Sequence, residues 1–265
     1  MSASRLLALL LTCVPVSAIA LQHYEVKVIE QKPQPRENFV QGLEIVDDDL
    51  YVSAGNYGES RLLRYDFADG QLDKAKRLNA RIFAEGLTVL GDRVYQLTWR
   101  NKMMLVYQKS DLQYQHWLPL TTEGWGLTNN GSELIYSDGS DKLRFIAPDT
   151  AHILRTINVT AQGQPVTMLN ELEWVEGAIW ANVWQSDTIV IIDPASGEVT
   201  ASIDLHGLLP VTEYRTGTHV LNGNARNPAD GAIWVTGKRW PWLYRIELVP
   251  KGSTGETPHA PADSR

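Results

Sequence analysis

A single glutamate, Glu85, is the charged residue whose setting is hardest to explain by packing, and its carboxyl group is a candidate for chemistry. It stands between Ala84 and the start of an apolar strand at Gly86, and Arg81 is its one basic neighbour close by in the sequence. A carboxylate in apolar surroundings has a raised pKa and can serve as a general acid and base. A structural role is the alternative, and these few residues leave both interpretations open.

Glu85 belongs to a set of positions that repeat along the chain. Five similar segments follow one another at steps of 44, 40, 45 and 52 residues. The residues that open these segments are Gln41, Glu85, Trp125, Asn170 and Asn222. A second set, 14 to 16 residues further on, consists of Gly55, Trp99, Gly139, Trp184 and Lys238. Amides, a carboxylate, an ammonium and indoles are poor core fillers as a group, so the repeat predicts that these side chains share one site.

The members of the two sets also have plainer interpretations. A tryptophan taken singly packs well between sheets, because it is large and mostly apolar. Asn170 and Asn222 could hydrogen-bond the backbone at turns. Lys238 could be an exposed turn residue beside Gly237 and Arg239. Their occurrence together at equivalent repeat positions favours a site.

The elements that must position these side chains are short β-strands. From residue 24 to residue 248, apolar runs alternate with turn signals such as Asp69-Gly70 and Asn130-Gly131, and no long stretch has a helical period. Each repeat is about 45 residues long and has room for four short strands, the size of a propeller blade. We therefore predict an all-β fold, a five-bladed β-propeller over residues 21–250. A large β-sandwich is the alternative, but it would not explain the period.

The two ends of the chain differ from the repeat region. Residues 1–20 contain Arg5, an apolar stretch over residues 6–16 and a small-residue site at Ala18 and Ala20, the pattern of a secretory signal peptide. We predict that this segment is removed and that the protein is secreted or periplasmic; a lipoprotein attached through Cys13 is the alternative. Residues 251–265 are polar and contain no apolar run, so we predict a disordered C-terminal tail.

Composition and motifs exclude several classes of function. The net charge is −7, with 24 Lys and Arg against 31 Asp and Glu, so the chain lacks the basic footprint of a nucleic-acid-binding protein. Cys13 is the only cysteine and falls in the signal segment, which leaves no thiolate nucleophile in the mature chain. No second apolar run reaches the roughly 18 residues of a membrane span. The six histidines are far apart, and no zinc, phosphate-loop or Gly-x-Ser-x-Gly motif occurs.

Eight segments around the repeated positions resemble the glutaminyl cyclases of the plant and bacterial type, in order and over nearly the whole mature chain. They are residues 39–44 (FVQGLE), 83–88 (FAEGLT), 96–99 (QLTW), 123–128 (EGWGLT), 137–140 (SDGS), 169–173 (LNELE), 181–184 (ANVW) and 235–238 (VTGK). That family is a five-bladed propeller that converts the N-terminal glutamine of peptides to pyroglutamate and releases ammonia. The resemblance implies the same fold and reaction here. The chain departs from the family at residues 33–37 and at Asn224 and Arg226, where apolar residues are common.

The resemblance also implies a set of site residues. The family's active site, at the mouth of the central channel, is similar in this sequence to Phe39, Gln41, Phe83, Glu85, Trp99, Trp125, Asn170, Trp184 and Lys238. Substrates would be peptides or proteins with an N-terminal glutamine, and we expect a monomer. Catalysis would need no cofactor, and no metal ligand is assigned. The resemblance leaves room for a structural divalent cation in the channel, and Asp138 could bind such a cation or close a turn with Gly139.

In this interpretation the substrate supplies both reacting groups. Its α-amine attacks its own γ-carboxamide, so the enzyme must mainly select the curled conformer. Glu85 would accept a proton from the amine and return it to the leaving nitrogen, while Asn170 and Lys238, with Gln41, would hydrogen-bond the carboxamide. The aromatic residues would exclude water and bind the methylene groups. Two other functions remain as alternatives: a secreted, non-catalytic propeller that binds a peptide or sugar, and a metal-dependent lactonase-type propeller, which would need a cluster of carboxylate ligands.

Overall fold

Strands make up nearly all of the regular structure in residues 21–251, the part of the chain that the computed structural model describes. Strand β1 (Gln22–Pro33) comes first. Four-stranded blades follow: blade 1 with β2 (Val40–Val46), β3 (Asp49–Ala54), β4 (Arg61–Asp66) and β5 (Leu72–Arg77); blade 2 with β6 (Ala84–Leu90), β7 (Arg93–Thr98), β8 (Met103–Gln108) and β9 (Tyr114–Pro119); and blade 3 with β10 (Leu127–Asn129), β11 (Leu134–Ser137), β12 (Lys142–Ile146) and β13 (Ile153–Asn158).

A small hairpin separates blade 3 from the rest of the chain. It consists of β14 (Thr160–Ala161) and β15 (Gln164–Pro165). The remaining elements are blade 4 with β16 (Leu169–Val175), β17 (Ala178–Val183), β18 (Thr188–Ile192) and β19 (Val199–Asp204); a 3₁₀ turn over Val211–Glu213; and blade 5 with β20 (Leu221–Arg226), β21 (Ile233–Gly237) and β22 (Trp242–Pro250). The predicted signal peptide and residues 252–265 of the predicted tail lie outside the described residues. Between residues 21 and 251, no helix has the length and apolar character needed to cross a membrane.

The blades form a closed ring. Their innermost strands are β2, β6, β10, β16 and β20; each contacts the next, and β20 contacts β2. Strand β1 is the fourth strand of blade 5, because it pairs antiparallel with β22, and it also pairs in parallel with β19 of blade 4. The all-β prediction is confirmed. Blades 1, 2 and 3 are separate four-stranded sheets, and blades 4 and 5 form one eight-stranded sheet joined through β1; the ring of inner strands agrees with the predicted propeller. A sandwich would not bring the first inner strand into contact with the last.

The hydrophobic core lies between neighbouring blades. Inner strands such as β6 are buried along nearly their whole length, whereas outer strands such as β5 and β9 are largely exposed. Ile135 and Phe145 of blade 3, for example, pack against Ile179 and Ile192 of blade 4. Both faces of an inner blade strand are therefore buried, and these strands place polar residues such as Glu171 and Asn222 among their apolar ones.

Local irregularities at the start of the inner strands direct side chains into the channel. The antiparallel register shifts in four inner strands, at the residues that open the repeats: Gln41, Glu85, Asn170 and Asn222. A β-bulge of this kind bends the strand and re-aims a side chain that would otherwise pack within the sheet. The opening residues therefore leave the regular ladder and can meet at one end of the channel.

The glycine that follows the opening residue allows neighbouring blades to touch. A Cβ on Gly86 would lie 2.5 Å from the backbone nitrogen of Leu127, and one on Gly126 would lie 1.8 Å from the carbonyl oxygen of Asn170. No side chain fits at these distances. The recurring glycine thus marks the close contact between inner strands that brings the opening residues within reach of one another.

Candidate active site

A cavity of about 220 Å³ opens where the inner strands begin. Its lining includes all nine predicted site residues: Phe39, Gln41, Phe83, Glu85, Trp99, Trp125, Asn170, Trp184 and Lys238. Asn56 and His219 complete the lining. The structure thus brings the predicted residues together from all five blades, while the role of each residue stays a prediction.

Aromatic rings form two groups in the cavity wall. Phe83 makes edge-to-face contacts with Phe39 and with Trp99, with ring centres 6.2 and 5.6 Å apart. Trp125 meets Trp184 edge to face, with ring centres 5.4 Å apart. Pairs in this geometry gain attraction beyond their buried area and restrict one another's orientation. The wall is therefore apolar and ordered, and it suits the methylene groups of a side chain.

The glycines of the second repeat set provide space for these rings. A Cβ on Gly139, whose φ is +79°, would lie 2.7 Å from the indole of Trp125. A Cβ on Gly55 would lie 2.6 Å from the ring of Phe83 and 2.9 Å from the side chain of Gln41. The equivalent positions in the other blades carry the larger side chains that line the cavity. Positions of both repeat sets therefore contribute to the cavity. Most contribute a side chain, whereas the two glycines leave space for the aromatic rings.

The carboxyl group of Glu85 is buried and free of protein partners. Only 5% of the residue is exposed, and no hydrogen bond or salt bridge within residues 21–251 engages its oxygens. Burial raises the pKa of Glu85 well above its ordinary value, the ammonium of Lys238 lowers it, and the carboxylate of Glu123 raises it. A carboxyl group with a raised pKa and free oxygens can both accept and donate a proton.

Lys238 brings a positive charge to the cavity. It is 3% exposed, and its Nζ lies 5.2 Å from the centre of the Phe39 ring. Burial lowers the pKa of Lys238 to about 8, although Glu85 acts to raise it. The two groups influence each other without forming a salt bridge within the described chain. Both are therefore available to a bound substrate.

Two buried amides also reach the cavity. The Oδ1 atom of Asn170 is buried and has no hydrogen-bond partner. The Oε1 atom of Gln41 accepts one long hydrogen bond, 3.5 Å, from Nδ2 of Asn222, which also donates to the carbonyl oxygen of Val40 at 3.1 Å. A buried polar atom left unpaired lowers stability unless a ligand or water pairs with it. Asn170 is therefore suited to bind a polar ligand, whereas Asn222 supports Gln41 from outside the cavity.

Glu123, which holds two of the indoles, is a site residue that was not predicted from the sequence. Its Oε2 accepts hydrogen bonds from the indole N–H groups of Trp99, at 2.5 Å, and Trp125, at 3.1 Å. Glu123 lies in a segment that resembles the family, but it occupies neither repeat position. Its nearness to Trp125 in sequence was the one available signal.

Two further lining residues were also missed. Asn56 directly follows Gly55, so it lies one residue after a repeat position that was identified from the sequence. His219 contacts the ring of Phe39 with centres 5.6 Å apart, and burial together with the charge of Lys238 lowers its pKa. His219 lies in the connection between blades 4 and 5, within the longest repeat step, where no register position points to it.

Three other glutamates lie further along the inner strands: Glu44, which is half-buried, and Glu171 and Glu173, which are buried, here called the deep carboxylates. Burial raises the pKa of each, that of Glu44 to about 7. In contrast to Glu85, each accepts hydrogen bonds from backbone N–H groups: Val89 to Glu44, Leu43 and Asn224 to Glu171, and Arg226 to Glu173. The departures from the family at Asn224 and Arg226 thus lie at partners of these carboxylates.

The described residues offer no ligand set for a metal ion. Between residues 21 and 251, no group of three or more His, Cys, Asp or Glu side chains is arranged to hold one. Asp138 accepts hydrogen bonds from Ser140 and pairs with Arg144 at 2.7 Å, so it closes a turn. A lactonase-type centre therefore lacks its cluster of carboxylate ligands in this part of the chain, and the structural channel cation for which the resemblance leaves room stays a prediction.

The ring of blades with a cavity at its axis defines a β-propeller protein, and comparison with solved structures agrees. The WD40 β-propeller domain of Doa1 aligns with a TM-score of 0.50 at 12% sequence identity, over 78% of this chain and 63% of that chain. At this low identity the likeness concerns the fold alone.

The chain belongs to the glutamine cyclotransferase family, whose sequence profile matches residues 3–248. It is 35% identical over 243 residues to a glutaminyl-peptide cyclotransferase of Arabidopsis thaliana, covering 88% of this chain and 74% of that relative. The crystal structure of Myxococcus xanthus glutaminyl cyclase aligns with a TM-score of 0.81 at 33% identity, over 88% of this chain and 100% of that chain. The resemblance found in the sequence is thereby confirmed.

Proposed function

We propose that this cavity cyclises the N-terminal glutaminyl residue of peptides and proteins, with Glu85 as the group that moves the proton. The chain is an enzyme of the glutaminyl-peptide cyclotransferase class by its family. One observation carries the assignment of the site: a buried carboxyl group shares an aromatic cavity with an ammonium and an amide oxygen, and none of the three has a hydrogen-bond or salt-bridge partner within residues 21–251. Every group that the reaction requires is available there.

The aromatic wall supports binding of a glutamine side chain. Trp99, Trp125 and Trp184 would pack against its methylene groups and exclude water, while the polar side chains bind its carboxamide. Because the α-amine and the γ-carboxamide belong to the same residue, a cavity that favours the curled conformer supplies much of the rate enhancement. An N-terminal residue is required in any case, because only it has the free α-amine that attacks the carboxamide.

Proton transfer by Glu85 balances the reaction. The neutral α-amine attacks the γ-carbonyl carbon; the new C–N bond forms, the π electrons move to oxygen, and ionised Glu85 takes a proton from the attacking nitrogen. The oxygen electrons then restore the C=O bond, the bond to the carboxamide nitrogen breaks, and Glu85 gives its proton to that nitrogen, which leaves as ammonia. Glu85 ends ionised as it began, so the cycle needs no other proton donor.

Lys238 is the group best suited to stabilise the oxygen as it becomes negative. Its ammonium is desolvated and is not engaged in a salt bridge within residues 21–251, and a charge in such a setting interacts strongly with a developing oxyanion. Asn170 can orient the carboxamide, because its side chain is buried, lines the cavity and has an unpaired oxygen. Loss of a group that stabilises the oxyanion, as proposed for Lys238, typically lowers kcat by about 10²–10³.

We further propose that catalysis requires no cofactor. The substrate contains both nucleophile and electrophile, and Glu85 supplies the proton transfer, so the substrate and the cavity together provide the chemical groups for each step. Treatment with a chelator should leave kcat unchanged. Loss of activity on chelation that a divalent cation restores would contradict this proposal.

The test of the proposed function uses a peptide that begins with Gln and a matched peptide that begins with Asn. We expect the unsubstituted protein to release ammonia from the first and to reduce its mass by one ammonia, and to leave the second unchanged. Glu85→Gln should still bind the Gln peptide but release no ammonia. Saturable binding of the Gln peptide without ammonia release by the unsubstituted protein would instead support the non-catalytic binding propeller.

Location and assembly are separate proposals. The pattern of residues 1–20 supports export with cleavage near Leu21, and the N-terminal sequence of the mature protein from a cell that exports it tests this. We also propose that the protein is a monomer. Light scattering at several protein concentrations tests it, and a stable dimer would contradict it.

A further inference from the structure

Glu123 is a charged residue at the cavity for which the mechanism above has no task. It lies between β9 and β10, and one of its oxygen atoms, Oε2, accepts the indole N–H groups of both Trp99 and Trp125. Trp99 follows the second strand of blade 2, and Trp125 precedes the first strand of blade 3. One carboxylate oxygen therefore connects two neighbouring blades at the cavity wall.

The two indoles each belong to a different aromatic group of the wall. Trp99 contacts Phe83, and Trp125 contacts Trp184, at centre distances of 5.6 and 5.4 Å. Hydrogen bonds to an ionised acceptor are about twice as strong as neutral ones and hold their geometry better. The Glu123 carboxylate therefore sets the orientation of both indoles and, through them, of both aromatic groups.

Glu123 also contributes to the charge around Glu85. Lys238 and Glu123 are the two charged groups that act on Glu85, with opposite effects on its pKa. His219 faces the same cavity beside Phe39, and its own pKa is lowered by burial and by Lys238. Removing the negative charge of Glu123 while keeping its shape should therefore lower the pKa of Glu85.

We propose that Glu123 is a positioning residue for the cyclisation, which holds the indoles of Trp99 and Trp125 so that they fix the glutamine side chain against Glu85. The proposal rests on the proposed function of the cavity. A glutamate that merely supported the loop before β10 would stabilise the fold, but it would alter neither substrate affinity nor the pH profile of the folded enzyme.

The experiment compares Glu123→Gln and Glu123→Ala with a matched control, Glu198→Gln. Glu198 is also a half-buried carboxylate with two hydrogen-bond donors, Oγ1 of Thr160 at 2.8 Å and the backbone nitrogen of Gln162 at 2.9 Å, but it lies away from the cavity. KM, kcat and the pH dependence of kcat/KM are measured with a Gln-initiated peptide. Thermal unfolding of each variant reports the folded fraction.

We expect Glu123→Ala to raise KM roughly tenfold, because two partly buried indole N–H groups lose their acceptor and the rings reorient. Glu123→Gln keeps an acceptor oxygen, so its KM should rise less. Its kcat/KM should nevertheless extend to lower pH, because Glu85 ionises more readily without the nearby charge. Glu198→Gln should change neither KM nor the pH profile.

Two results would overturn the proposal. One is an unchanged KM and pH profile in Glu123→Ala; the other is a loss of activity that follows the folded fraction in both Glu123 variants and in the control alike. Peptide affinity is measured as well, with each Glu123 change placed in Glu85→Gln, where cyclisation is blocked. If the unsubstituted protein released no ammonia, the proposed function would fail, and this affinity would still decide whether Glu123 positions the bound peptide.

Discussion

Buried glutamates occupy two levels of the central channel, and the protein treats them differently. At the mouth, Glu85 faces a cavity and receives no hydrogen bond within the described chain. Deeper in the channel, Glu171 accepts the backbone nitrogens of Leu43, at 3.3 Å, and Asn224, at 2.9 Å, and also Nδ2 of Asn224, at 2.6 Å. Glu44 and Glu173 likewise accept backbone N–H groups.

The difference shows what a perturbed pKa does and does not reveal. Burial raises the pKa at both levels, so the shift alone does not distinguish a catalytic carboxyl group from a structural one. The partners do. A deep carboxylate joins strands from different blades, as Glu171 of blade 4 joins β2 and β20, whereas the oxygens of Glu85 are left free for a substrate.

Removal of the two kinds of carboxyl group should have opposite results, and the effect at Glu85 should be the largest. Glu85→Gln should lower kcat by about 10²–10⁴, the range that general acid–base catalysis contributes. Its melting temperature should not fall, because no hydrogen bond is lost and the desolvated acid is removed. Ammonia release and circular dichroism measure the two effects. Retention of most of the activity would place the proton transfer elsewhere.

Glu171→Ala should show the reverse pattern. It leaves the buried N–H groups of Leu43 and Asn224 without an acceptor, at about 1–3 kcal/mol for each unsatisfied group. Urea unfolding should therefore show a clear loss of stability, with kcat per folded molecule close to that of the unsubstituted protein. If kcat fell as far as in Glu85→Gln, the division between the two levels would be wrong.

The pH dependence of kcat should reflect the titration of Lys238 at the mouth of the channel. Its pKa is lowered to about 8 by burial, so kcat should fall as the pH rises through about 8 and the ammonium is lost. Arginine stays protonated in this range, so Lys238→Arg should move this alkaline limb to higher pH, even if the altered geometry lowers the maximum rate. An alkaline limb unchanged in Lys238→Arg would assign it to another group.

The pH dependence of stability should report the deep carboxylates, with the smallest effect per residue. The pKa of Glu44 is raised from 4.5 to about 7 in the folded state, so the folded chain holds a proton that the unfolded chain has released across that window. Stability should therefore fall as the pH rises from about 4.5 to 7. Glu44→Gln should make this slope shallower in urea unfolding at several pH values, and an unchanged slope would contradict the assignment.

Much of the site could be predicted from the sequence because the ring of blades requires similar residues at regular intervals along the chain. The close approach at Gly86 and Gly126 requires a glycine directly after the opening residue. That requirement aligns the blades and locates Glu85 without knowledge of any contact. The predicted fold and the nine cavity residues follow from this register together with the family resemblance.

The rest of the site could not be predicted because it depends on contacts that do not repeat. Glu123 acts through one connection, and its task is visible only when the two indoles it holds are seen to meet. His219 reaches the cavity from the long connection before β20. Glu171 occupies the repeat position at which the other blades have glycine, so its exceptional residue type is visible in the sequence. Its hydrogen-bond partners Leu43 and Asn224 belong to two other blades, and these contacts could not be predicted.

Strand β1 makes the order of folding matter for activity. Tyr24 pairs with Pro250 and Pro33 with Trp242, so β1 cannot complete its pairing until β22 has been synthesised. Contacts between such distant segments form slowly, because a long loop must close first. Lys238 lies between β21 and β22, in the blade that β1 completes. Catalytic competence during refolding is therefore expected to appear only with the slowest step, after most of the strands have already formed.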